Sequence, residues 1–230
     1  MKGVARVAIR GKLRRWHIWL GWIVALPLLL WTVSGVVMVI RPIEEVRGAD
    51  LMAPAPALPS GMSAIAPPAG PRPVSSLSLQ PRPGGAVWVV RFADGETRLA
   101  DPATGRYLPP MKPLDAARIV GERYRGKAHL ASVDRTSAEA PPLDLRRPVA
   151  AWRVTMSDGV RFYLDAGSGE LIATRTPFWR FYDFMWGLHI MDPGGREDSH
   201  NPFVIALGLV TLATTLMAIV LLPMTRRRRP

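Results

Sequence analysis

The sequence of 230 residues contains no cysteine. This absence excludes disulfide bonds, thiolate metal sites and a thiol nucleophile. The sequence also lacks a phosphate-binding glycine loop, a catalytic triad pattern and a strong metal-binding motif. Since each of these motifs supplies chemistry that an enzyme of that class needs, their absence favours a binding or regulatory protein over an enzyme.

Acidic residues are absent from residues 1–15, which carry six basic side chains, and Arg226 to Arg229 add four more. These ten residues account for most of the net charge of +12. Nucleic-acid-binding domains instead concentrate basic residues on one folded face, so we expect no nucleic-acid partner. Charge placed at both ends is typical of membrane topology.

Two stretches lack charged side chains altogether, residues 16–40 and 201–225, each 25 residues long. A bilayer core of about 30 Å needs about 20 apolar residues in a helix, so both stretches are predicted to cross a membrane. The first is longer than the apolar part of a signal peptide, about 7–15 residues, and no cleavage site follows it, which favours an uncleaved anchor. By the positive-inside rule both termini are cytoplasmic and residues 41–200 lie on the other side.

A short segment of the chain occurs twice, as residues 88–105 and 152–169, with a gapless offset of 64. Both copies begin with Trp-x-Val at alternating positions, which predicts a strand, and both continue with Asp-Gly, which favours a tight hairpin turn. A second turn follows in each, where Asp accepts backbone hydrogen bonds and Gly adopts a positive φ. The predicted turn residues are Asp94, Gly95, Asp101, Gly105, Asp158, Gly159, Asp165 and Gly169.

The remaining middle segments are less regular. Nine prolines within residues 53–83 predict an extended linker, in which residues 74–79 alternate like an edge strand. Residues 113–124 have a helical rhythm that starts with proline, and residues 128–133 read as a strand. The aromatic segment 178–186 precedes the second apolar stretch and is predicted to lie at the membrane interface.

The pattern W-x-V-x-x-x-D-G-x-x-x-Y-L-D-x-x-S-G-E-L, preceded by a helix and a strand, resembles the PepSY domain over residues 111–175. The flanks are similar to the PepSY-associated transmembrane family. The matching segments are R-R-W-H-I-W-L-G at residues 14–21, Thr32 to Gly35, and W-G-L-H at residues 186–189. Members usually carry three or four spans, whereas two are predicted here.

The resemblance implies an α+β protein of the bacterial inner membrane, in which two transmembrane helices flank a periplasmic PepSY-like domain with one good and one degenerate helix-plus-hairpin repeat. The predicted order is a basic cytoplasmic N-terminus (1–15), a transmembrane helix (16–40), a Pro-rich linker (41–83), a degenerate hairpin (84–110), a PepSY-like unit (111–175), an aromatic interfacial segment (176–200), a second transmembrane helix (201–225) and a cytoplasmic Arg tail (226–230).

Larger relatives in this family include siderophore-iron reductases that hold haem b through histidines. The resemblance therefore implies His17, His189 and His200 as candidate haem ligands. About 25 helical residues at about 1.5 Å each separate His17 from the other two by more than about 30 Å, so they cannot share one iron within one chain. Two copies of His17, or His189 with His200, remain as alternatives.

Two functions follow. The first is a non-catalytic binding or regulatory domain for a peptide, a protease or a membrane-protein partner, reached through an open sheet edge. The alternative is a haem-b electron carrier, as a component of ferric or siderophore reduction and as a homo-oligomer. Membrane lipid is an expected partner in both cases.

Overall fold

The computed structural model describes residues 2–82 and 85–225. The predicted Arg tail, residues 226–230, therefore lies outside the described residues. The chain divides into two compact units, one formed by residues 1–41 with 181–230 and the other by residues 42–180.

The first unit is built on two long helices, α1 (Lys2–Val39) and α5 (Pro202–Thr225). Within them, Ala8–Val39 and Pro202–Met224 are long and apolar enough to cross a membrane by length and composition. Helix α1 begins earlier than the predicted span because the basic N-terminal residues are good helix formers. It ends before Arg41 and Pro42, since a residue that precedes proline disfavours the helical conformation.

The second unit starts with short elements inside the segment predicted as a linker. Helix α2 (Ile43–Val46) and a single helical turn at Ala49–Leu51 precede the proline-rich part. Val46 is fully buried and Met52 joins the main core, where it bridges to Tyr124. The start of this segment therefore belongs to the folded domain, because its apolar side chains are removed from water.

The second unit contains two antiparallel sheets. The first has the order β1 (Val74–Arg82), β2 (Gly85–Phe92) and β3 (Thr97–Ala100). The second has the order β4 (Leu130–Thr136), β5 (Ala151–Met156), β6 (Arg161–Asp165) and β7 (Leu171–Arg175). Strand β1 lies at a sheet edge, the position that accepts its Pro81, because proline cannot donate to a neighbouring strand.

The two sheets share the register of their central hairpins. Trp88 pairs with Ala100 in β2–β3, and Trp152 pairs with Leu164 in β5–β6. These pairs differ by the same offset of 64 that relates the two sequence segments. A register shift also occurs at the same place in each sheet, between Val74 and Ser76 in β1 and between Leu130 and Ser132 in β4.

Helix α3 (Pro113–Gly121) covers the second sheet. It starts at Pro113, as the helical periodicity of the sequence predicts. Its first turn is closed by Asp115, whose carboxylate accepts the backbone N–H of Lys112 at 2.9 Å. Ile119 and Val120 pack from this helix into the main core with Trp152, Val154, Phe162 and Leu164. Since the apolar face of a short helix is stabilised mainly by packing, this core fixes α3 on the sheet.

An extended segment lies against the first sheet where a helix lies against the second. A Cβ placed on Gly169 would meet Met111 and Ile119, whereas one placed on Gly105 would meet Ile65 and Ala66. The indole of Trp88 donates to the carbonyl of Ile65 at 2.8 Å, which holds this segment in place. Pro67 and Pro68 follow directly, and proline disfavours the helical conformation in the residue before it.

Helix α4 (Pro177–His189) precedes α5 and covers the aromatic segment. Thr176 caps it, because its hydroxyl accepts the backbone N–H of Trp179 at 2.8 Å. Phe181 and Phe184 are exposed on this helix, whereas Asp183 is buried. The helix is therefore amphipathic, with aromatic rings on its exposed face.

Candidate functional site

In the helical unit, the ring of His189 lies against α1. It stacks on Trp31 with ring centroids 4.7 Å apart and planes inclined by 17°. Its Nδ1 atom lies 3.1 Å from the hydroxyl of Ser34 and 3.1 Å from the carbonyl oxygen of Trp31. A Cβ on Gly35 would come within 3.2 Å of the ring, so glycine leaves the space that the imidazole fills.

The contacts of His189 determine which ring nitrogen carries the proton. A carbonyl oxygen can only accept a hydrogen bond, so Nδ1 donates to Trp31. The Ser34 hydroxyl donates to the same carbonyl at 2.9 Å, which leaves its oxygen free to accept from Nδ1 as well. In the neutral ring this arrangement places the lone pair on Nε2, the nitrogen that a metal would bind.

His17 shows the same arrangement further along α1. Its Nδ1 atom lies 3.2 Å from the carbonyl oxygen of Thr214, which belongs to α5. The hydroxyl of Thr214 is occupied separately, because it donates to the carbonyl of Val210 at 2.7 Å. His17 therefore also donates from Nδ1 and keeps Nε2 as the unprotonated nitrogen of the neutral ring.

The structure places His17 and His189 closer together than the sequence argument allowed. His189 packs against Ser34 inside α1 and does not lie beyond the end of that helix. Seventeen helical residues at about 1.5 Å separate Ser34 from His17, which gives about 26 Å along the helix axis and not more than 30 Å. The two rings still cannot bind one iron within a single chain.

The other two histidines are exposed. His200 lies in the loop before α5, where its backbone N–H donates to Asp198 at 2.8 Å. His129 lies just before β4, and its backbone bonds with Ser157. Among the described residues no group of three or more His, Cys, Asp or Glu side chains is placed to hold a metal ion.

The loop that leads to His200 is tied to α4. Asp183 is 4% exposed and pairs with Arg196 at 2.8 Å. Asp192 accepts the backbone N–H groups of Glu197, Asp198 and Gly195, and these bonds lower the pKa of its carboxyl. The chain between α4 and α5 is thus held by defined bonds. The sequence did not predict Asp183 as a buried residue, since an acid in an aromatic segment is ordinarily on the solvated face.

The eight repeated Asp and Gly residues all lie in turns. Gly95 and Gly159 adopt φ values of 88° and 81°, and Gly105 and Gly169 adopt 70° and 68°. Each aspartate carboxylate accepts a backbone N–H two residues further on, at distances of 2.9–3.1 Å. These carboxylates accept hydrogen bonds from nearby backbone N–H groups, which is the role predicted for aspartate in such turns.

A cleft of about 500 Å³ opens in the β-rich unit. Strand β3 and the β6–β7 turn line it, together with residues 108–111 and 148–150. Its apolar lining residues include Leu99, Leu108, Met111 and Val149, and its charged ones include Glu96, Arg98, Arg135 and Asp165. Pockets of about 300–1,000 Å³ with this mixture are typical ligand sites. The sequence could not predict this cleft, because its walls come from segments distant in sequence.

A polar network around Asp144 joins the β4–β5 loop to strand β6. The Tyr163 hydroxyl donates to Asp144 at 2.7 Å, and Arg161 donates to the same carboxylate at 3.0 Å. Arg175 donates to the backbone carbonyl of Asp144 at 2.5 Å. Burial, with Asp144 as the hydrogen-bond acceptor, raises the pKa of Tyr163 to about 12. Asp144 therefore anchors the long loop between β4 and β5.

These features define a class of protein in which two apolar helices of membrane-spanning length precede and follow a β-rich domain along the chain. The profile of the family described as the PepSY-associated TM region matches residues 4–228, and the chain belongs to this family of membrane proteins. The resemblance inferred from the sequence is thereby confirmed. No curated protein and no solved structure showed significant similarity to the chain.

Proposed function

We propose that this PepSY-associated membrane protein presents residues 42–180 as a non-catalytic binding domain for an extended segment of a partner protein. The proposed location is the periplasmic side of a bacterial inner membrane, with both termini in the cytoplasm. The charge at the chain termini supports this orientation. Basic residues lie just before the first apolar stretch and just after the second, and such residues favour the cytoplasmic side. Peptides, proteases and other membrane proteins offer segments of this kind.

The cleft beside β3 is the observation that carries the proposal. Its volume of about 500 Å³ accommodates a few residues of an extended chain, and its apolar floor is bordered by charges of both signs. Polypeptide segments combine apolar side chains with polar backbone groups, so they match this mixed lining.

The edge of β3 supplies a way to hold a backbone. The chain already adds one short pairing there, because the N–H of Leu108 donates to the carbonyl of Leu99 at 2.8 Å. Residues of an antiparallel strand alternate between its two neighbours, so Thr97 also directs its backbone groups away from β2. A partner strand placed along Thr97 would extend this pairing, which is the mode of β-strand addition.

A substitution in the cleft tests this function. We expect Leu108→Asp to weaken the binding of peptides selected on the wild-type protein by tenfold or more, because it places a charge on the apolar lining. The control is Leu114→Asp, since Leu114 is 78% exposed on α3 and lies outside the cleft. Affinity is measured by fluorescence anisotropy with the full chain in lipid nanodiscs. Equal losses in the two variants, or no selectable peptide, would contradict the proposal.

A second candidate function is transmembrane electron transfer through haem b. The observation that favours it is the shared arrangement of His17 and His189, in which Nδ1 faces a backbone carbonyl and Nε2 is left as the ligand nitrogen. These two residues would hold the group, and haem would supply one-electron chemistry. Because the two rings are about 26 Å apart along α1, each would need a second ligand from another copy of the chain.

Absorption spectra decide this second function. If it holds, protein purified from haem-replete cells shows a Soret band that shifts on reduction with dithionite. Substitution His189→Ala then lowers the haem content by about half, because one of two positions is lost, while His129→Ala leaves it unchanged. A colourless, folded wild-type protein would rule out the electron carrier and leave the binding domain.

A further inference from the structure

We infer that strand β1 is a self-association surface that pairs antiparallel with β1 of a second copy, with the twofold axis at Ser78. This inference goes beyond the proposed function and does not depend on the cleft. Strand β1 is an edge strand of nine residues, and within the part of the chain that the structure describes its one strand partner is β2. Leu77 is 42% exposed on it.

The backbone groups that point outward from β1 follow from the pairing of its neighbour. The N–H of Ala93 donates to the carbonyl of Pro73, so the odd-numbered residues of β2 bond toward β1. Their partners are Ser76, Ser78 and Gln80. Leu77 and Leu79 therefore direct their N–H and C=O groups away from the sheet, into the space where a further strand would lie.

The usable edge is bounded on both sides at equal distance from Ser78. On one side the register shift between Val74 and Ser76 interrupts the strand. On the other, Pro81 lacks an N–H. A second β1 that runs antiparallel about Ser78 sets Leu77 opposite Leu79 of the other copy, and Leu79 opposite Leu77. All four outward-facing residues are then paired, with four backbone hydrogen bonds.

The side chains favour a second copy as the occupant. Leu77 and Leu79 share one face of the sheet, so the pairing forms two cross-strand leucine pairs. No charged residue occurs between Pro73 and Pro81, although natural edge strands commonly use charges to repel each other. A twofold axis requires a surface that matches itself, and this edge does so. Five paired residues form a small interface, which anchoring in one membrane strengthens through a raised effective concentration.

Cysteine crosslinking tests the pairing in the full chain, which has no cysteine of its own. In Ser78→Cys the two cysteines form a directly opposed, non-hydrogen-bonded pair with Cα atoms about 4.5 Å apart, within the range of a disulfide. In the control Ser76→Cys they are offset by four residues, about 13 Å along the strand, too far to bridge. We expect at least fivefold more crosslinked dimer for Ser78→Cys under mild oxidation in native membranes.

A second substitution distinguishes strand pairing from random encounters between copies in the membrane. Leu79→Pro in the Ser78→Cys background removes an N–H that points away from β2. The bonds between β1 and β2 are therefore retained, and we expect the crosslink to fall at least fivefold. Leu79→Val keeps the N–H and retains the crosslink. Equal crosslinking of Ser76→Cys and Ser78→Cys, no dimer with Ser78→Cys, or a crosslink to another protein would each overturn the inference.

Discussion

Replacement of Phe162 by alanine is expected to lower the free energy of unfolding of the β-rich domain by about 3–5 kcal/mol. Phe162 is 0% exposed and lies in the main core with Trp152 and Val154. Its ring also meets the edge of Tyr124, with centroids 5.7 Å apart. The substitution leaves a cavity that the surrounding strands cannot close, since hydrogen-bonded pairing on both sides holds β6 in place.

Hydrogen exchange of the β5 and β6 amides in the full-length protein measures this change, because core amides report the free energy of opening. The control is Leu114→Ala on α3, where a leucine is mostly exposed and the loss should stay below about 0.5 kcal/mol. A decrease of less than about 1 kcal/mol in the free energy of unfolding for Phe162→Ala would show that this core does not depend on Phe162.

The second large effect is expected from Asp144→Ala, which should lower the same free energy by about 2–3 kcal/mol. The buried hydroxyl of Tyr163 loses its acceptor, and the guanidinium of Arg161 loses its partner carboxylate. Partial exposure of Arg161 reduces the cost of leaving that charge unpaired, because water screens it.

Asp134→Ala is the matched control, since Asp134 also pairs with an arginine, Arg153 at 3.2 Å, but its side chain is 47% exposed. That variant should lose less than about 1 kcal/mol. In the double variant Asp144→Ala with Tyr163→Phe the loss should be smaller than the sum of the single losses, because both remove one hydrogen bond. Strict additivity, measured by hydrogen exchange, would contradict the network.

The two candidate functions use different parts of the molecule. The proposed peptide binding would use the cleft beside β3, whereas electron transfer would use the imidazoles of His17 and His189. Substitutions at Leu108 and at His189 therefore act on separate readouts. Two of the repeated residues, Gly95 and Asp165, also line the cleft, but the carboxylates and positive φ angles of the set are used in the turns themselves.

Local chemistry allowed much of the fold to be predicted. Charge-free length predicts the two spans, proline at a helix start predicts α3, and Asp-Gly within alternating strands predicts both hairpins. The family follows from the same short motifs. Each of these signals depends on residues close together in the chain, so no knowledge of distant contacts is needed.

Other features depended on contacts between distant segments. Residues 41–83 were predicted to form an extended linker. In the structure, however, Val46 and Met52 are buried and residues 65–66 pack on the first sheet. Whether an apolar residue in a proline-rich segment is buried depends on the surface it meets, which lies elsewhere in the chain.

By itself the sequence determined the two long apolar helices, the turns and the family, because spacing and turn chemistry are local properties. Only the tertiary structure decided which residues meet. It placed His189 between Trp31 and Gly35, joined Asp144 to Tyr163, and left the edge of β1 exposed. These arrangements follow from how the end of α4 meets α1 at His189 and from the order of the strands in each sheet. Such long-range contacts are encoded by no single segment.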